Sequence, residues 1–88
     1  MNAPPDGRES SDLYRAEICR QGRCRVILCK DGIQWILQRR GKAAGARWRS
    51  VSYFTTRAAL IKAWAGLCDG VPPELKALPD KVRREAGG

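Results

Sequence analysis

The stretch "CRVILCKDGIQWILQ", residues 24 to 38, constrains the fold more than any other part of the chain. Asp31-Gly32 lies between two runs rich in β-branched and aromatic residues. This pattern predicts a hairpin closed by a type I′ turn, because both central positions of that turn need positive φ. Setting Lys30 opposite Ile33 pairs Leu28 with Trp35, Ile27 with Ile36, Val26 with Leu37 and Arg25 with Gln38. Val26, Leu28, Ile33, Trp35 and Leu37 then share one face, and Arg25, Gln34, Gln38 and Arg40 share the other with Ile27 and Ile36. The first face reads as core and the second as a presented surface.

Further elements extend this hairpin on both sides. Upstream, "SSDLYRAEICRQG" reads either as an outer strand joined through a turn at Gln21-Gly22, with Cys19 opposite Cys24, or as a short helix capped by Ser11. Downstream of the loop "GKAAG", the segment "ARWRSVSYF" predicts a strand in which Arg47, Arg49, Val51 and Tyr53 alternate with Trp48, Ser50, Ser52 and Phe54. "TTRAALIKAWAGLCDG" then has a threonine cap, apolar Leu60, Ile61, Trp64, Leu67 and Cys68 at helical spacing, and Gly70 as a stop. "VPPELKAL" predicts a short helical turn with Pro73 in its first position.

The expected fold is α+β: a three- or four-stranded antiparallel meander with one helix packed on one face. Trp35, Trp48 and Trp64, with Leu28, Leu37, Phe54, Leu60 and Leu67, are expected between helix and sheet. Residues 1 to 12 read as a flexible lead-in, 13 to 70 as a single basic domain, and 71 to 88 as a helical turn with a frayed tail. No apolar run is long enough for a membrane span and no secretory signal opens the chain, so a cytoplasmic location is expected.

Charge narrows the partner. The 88 residues carry a net charge of +8, and residues 15 to 57 alone hold eleven basic side chains against two acidic ones, Glu17 and Asp31. Clustering of one sign over the strands favours a polyanion. Arginine bonds guanine, and glutamine adenine, in the major groove, which a two-stranded ribbon enters. Arg25, Gln34, Gln38, Arg40, Arg47 and Arg49 are therefore candidate base readers on the presented face, and Lys42 and Arg39 phosphate contacts.

Other chemistry has little to stand on. The chain has no histidine, no phosphate-binding glycine loop and no paired carboxylates near the strands, so catalysis is not expected. A zinc site would require the thiolates of Cys19, Cys24, Cys29 and Cys68 without any C-x-x-C pair, and Cys24 and Cys29 point to opposite faces of one strand. In a reducing compartment all four are expected free, with no metal or other cofactor bound.

Strands followed by "VSYFTTRAALIKAW" resemble the DNA-binding domain of the plant ethylene-response-factor (Apetala) class and its phage and integrase relatives. Phe54, Thr56, Ala59, Ala63 and Trp64 carry the resemblance. It implies a three-stranded sheet whose strand side chains read duplex DNA, here Arg25, Gln38, Arg40, Arg47 and Arg49, and a phage or mobile-element setting. The class's glycine before the aromatic and its first-strand Gly-Val-Arg run are absent here. A second reading is a phage-type inhibitor, similar to anti-CRISPR proteins, that binds a host nuclease or nucleoprotein. Ile27, Ile36, Val51 and Tyr53 would then be apolar contacts inside a basic ring.

Overall fold

The computed structural model describes residues 10, 14–43, 45–68 and 70–82. Its central hairpin joins β2 (Cys24–Leu28) to β3 (Trp35–Arg39) in the expected register, with Leu28 opposite Trp35 and Arg25 opposite Gln38. The turn chemistry differs. Among the described residues only glycines have positive φ, so Asp31 does not take the left-handed position a type I′ turn requires. Instead the Gly32 N–H donates to the Cys29 carbonyl at 2.9 Å, the bend centres on Lys30 and Asp31, and Gly32 (φ 70°) turns the chain back. The ladder closes where the Cys29 N–H meets the Gln34 carbonyl at 3.0 Å, which leaves Ile33 in the loop, exposed rather than on the core face.

The upstream segment is a strand, β1 (Glu17–Gln21), turning at Gly22-Arg23 into β2. With Gln21 opposite Cys24, Cys19 faces Val26 rather than Cys24, and a bulge at Ile18 restores Glu17 opposite Ile27. The alternative helix cap Ser11 lies outside the described residues, as do most of the lead-in and residues 83–88. On the other side β4 (Arg49–Phe54) pairs with β3, and the sheet order is β1-β2-β3-β4, antiparallel throughout.

Helix α1 (Arg57–Leu67) lies on one sheet face. It starts because the Thr56 hydroxyl accepts the Ala59 N–H, and it buries Leu60 and Trp64 against Val26, Trp35 and Leu37. The short α2 (Pro73–Lys76) adds Leu75 to the same core. The tail is less frayed than its sequence implies. Arg57 N–H bonds the Asp80 carbonyl, Val82 N–H bonds the Thr55 carbonyl, and Thr56 bridges to Lys81, so residues 80–82 run beside the start of α1. Among the described residues no helix is long and apolar enough to cross a membrane.

The cysteines depart from expectation. Cys24, at the start of β2, and Cys68, the C-cap of α1, form a disulfide across a sequence separation of 44. The physical reason is tertiary: packing α1 on the core face delivers its end to the first residue of β2, a convergence that local spacing does not encode. Cys19 and Cys29 stay free and buried, in the core layers of opposite faces. Burial, aided by the charges of Glu74 and Glu17 and opposed by a backbone hydrogen bond at Val26, pushes the Cys19 thiol up to about 11, so it remains protonated at neutral pH. Reducing the Cys24–Cys68 bond is expected to lower stability by about 2 to 4 kcal/mol, the range for a loop of this length. Urea titrations with and without a thiol reductant measure it; coincident midpoints would show that the crosslink contributes nothing.

Candidate nucleic-acid interface

Building the second sheet face begins with a bulge. Between Leu37–Ser52 and Gln38–Ser50 the β3–β4 register slips by one residue, leaving Val51 unpaired. Every residue before Val51 therefore changes face relative to strict alternation. Ser50 joins Gln38 on the face away from α1, while Arg49 moves opposite Arg39 at the end of the strand. Trp48 moves with Ser50, so it is buried on the face opposite to the helix and not in the helix-sheet core.

One polar row crosses all four strands on this face: Arg20, Arg25, Gln38 and Ser50. Arg25 Nε donates to Gln38 Oε1 at 2.8 Å, Gln38 Nε2 donates to Ser50 Oγ at 3.3 Å, and Glu17 accepts from both Arg25 (3.3 Å) and Arg20 (2.7 Å). The indole of Trp48 lies against three guanidiniums, with centroid distances of 4.5 Å for Arg25, 4.7 Å for Arg40 and 5.3 Å for Arg20. A buried cation is tolerable only when its donors are met. Here they are: every buried side-chain nitrogen and oxygen among the described residues has a partner.

This row corrects the expected presented face. Arg25 and Gln38 are 0% and 1% exposed, so neither offers an edge to a base. Ile27 and Ile36 are fully buried as well, because the chain before β1 folds over them: Tyr14 and Ala16 pack there, and the Tyr14 hydroxyl donates to the Leu28 carbonyl at 2.8 Å. Two isoleucines on a strand pair need such a cover. Gln34 sits at the far end of the sheet beside the β2–β3 loop, and Lys42 is exposed in the β3–β4 loop. Val51 and Tyr53 remain exposed, at 49% and 55%.

The accessible charge gathers elsewhere, at the end of the sheet. Arg23 from the β1–β2 turn, Arg39 and Arg40 from the end of β3, Arg47 before β4 and Arg49 at its start line one concavity of about 800 Å³, completed by Gly41, Ala46, Ser50 and Val51. A backbone bond from Arg40 N–H to the Arg23 carbonyl ties two of its walls together. No acid lines it. The ion pairs formed among the described residues involve Arg20, Arg25 and Arg57, not Arg23, Arg39, Arg47 or Arg49. Arg39 and Arg49 stand directly opposite each other, an arrangement that like charges disfavour without an anion between them. Trp48 holds Arg40 at the rim, so this guanidinium is placed in advance.

Of the candidates read from the sequence, Arg40, Arg47 and Arg49 converge here, whereas Arg25 and Gln38 form the layer beneath. Arg39, read from the sequence as a phosphate contact, joins the first three, and Arg23 is the lining arginine that the sequence pattern did not single out. By register Arg39 follows Trp35 and Leu37 on the core face, but at the strand end that face is exposed. Among the described residues no three His, Cys, Asp or Glu side chains gather as metal ligands would. The chain matches no protein-family model, no curated protein and no solved structure.

Proposed function

We propose that the protein is a non-catalytic nucleic-acid-binding module that holds duplex DNA through the arginine concavity. The observation that carries this reading is the convergence of five guanidiniums, from three separate segments, around one opening that no carboxylate among the described residues lines. Such a site neutralises phosphates. Base reading falls to Arg40, Arg47 and Arg49, the members of the expected set that line the concavity, so affinity comes mainly from the backbone and sequence preference is modest. The likeness of the strand-to-helix junction to the ethylene-response-factor class supports a phage or mobile-element setting.

A binding titration with a short duplex over a salt series tests it. Five phosphate contacts at about 0.9 each give an expected log-log slope of roughly −4 to −5. Absence of any salt-sensitive binding at low ionic strength would dismiss the proposal. That outcome would favour the second reading, an inhibitor docking on an acidic host nuclease, for which the exposed Val51 and Tyr53 beside the arginines supply apolar contact.

A further inference from the structure

We infer that the partner is DNA with an unpaired strand, whose backbone enters the arginine concavity while a neighbouring base stacks on Tyr53; this rests on the nucleic-acid reading above. Two independent observations point this way. The first is shape. The arginines surround a hollow instead of spreading over a flat or convex surface, with Arg39 and Arg49 opposed across one rung and Arg23, Arg40 and Arg47 around them. A duplex can offer the hollow the phosphates of one strand, but a free sugar-phosphate chain, not being part of a stiff rod, can bend in between the opposed cations and reach more of them.

The second is Tyr53. It shares a face with Ser50, which lines the hollow, and it stands about one same-face step beyond, roughly 7 Å along the strand; Arg39 and Arg49 reach the hollow from the other face at the strand end. Tyr53 belongs to neither core cluster and is more than half exposed, so its ring has no packing duty that explains an aromatic there. Among the described residues β4 is an edge of the sheet, and the bulge at Val51 interrupts its pairing groups, which discourages another protein strand from adding to it. A basic track leading to an exposed aromatic is how proteins hold unpaired bases, because every base has a face to stack and a paired base has that face covered.

The experiment compares three probes of one sequence: a blunt duplex, the corresponding single strand, and the duplex with an unpaired tail. Affinities are taken at one salt concentration, for the wild-type chain, Tyr53→Ala and Tyr53→Phe, with thermal melting of each variant as a check on folding. Both unpaired probes are expected to bind about tenfold tighter than the blunt duplex, a factor typical of one stacked base. Tyr53→Phe should keep this ratio, and Tyr53→Ala should bring it close to one. A blunt duplex that binds as well as the single strand, or a ratio that survives Tyr53→Ala, overturns the inference while leaving nucleic-acid binding intact. If none of the three probes binds, the underlying reading falls and this one with it.

Discussion

Trp64→Ala is expected to destabilise the fold by about 3 to 5 kcal/mol, the usual cost of deleting a fully buried tryptophan. Its side chain has no solvent exposure, fills the space between α1 and the Val26, Trp35 and Leu37 layer, and donates its indole N–H to the Gly70 carbonyl at 2.6 Å. Deletion therefore opens a cavity and also leaves the chain after the helix without its tether. Because a domain of this size has only several kcal/mol in hand, most of the cooperative melting transition should disappear. An unaltered thermal transition would mean that the helix does not anchor the sheet through this residue.

Replacing Arg39 and Arg49 together by alanine should have the reverse signature. Two of the five lining cations are removed, so the salt slope is expected to become shallower by about 2 and duplex affinity at roughly 0.1 M salt to drop by something between ten- and a hundredfold. Stability should not fall, since the pair faces itself across one rung and its repulsion is relieved. Affinity and melting temperature measured on the same preparation separate these effects. If the double variant binds as the wild type does, the concavity is not the site.

Those two substitutions also mark what could be read in advance. Around Trp64 the sequence was sufficient. Period-two alternation through Val26, Trp35 and Leu37 fixes the inner face, helical spacing of Leu60 and Trp64 supplies its partner, and Thr56 marks where the helix starts. At the arginines it was only partly so. A cluster of positive charge was evident, but its arrangement depends on the slip at Val51, which no glycine announces and which sends Trp48 and Ser50 to one side and Arg49 to the other. Arg25 and Gln38 looked presented because nothing local indicates that Trp48 and Glu17 will close over them. The same holds for Ile27 and Ile36 under Tyr14, and for Cys24 meeting Cys68: each is a contact between segments distant in sequence, to which periodicity is blind.

The bond between Cys24 and Cys68 turns residues 24 to 68 into a covalent macrocycle. Strands β2, β3 and β4 and helix α1 all belong to it, and so do Arg39, Arg40, Arg47 and Arg49. Strand β1 does not. It is held at the rim by ladder hydrogen bonds, by the burial of Cys19 and by Glu17, the carboxylate that accepts from Arg25. Peeling β1 away would thus leave the ring closed and its arginines in place, yet strip the buried row of its counter-charge and bring Arg25 and the indole beneath it into contact with the surroundings. The basic site sits largely inside a crosslinked hoop, while the counter-charge of the layer beneath it comes from a strand outside that hoop.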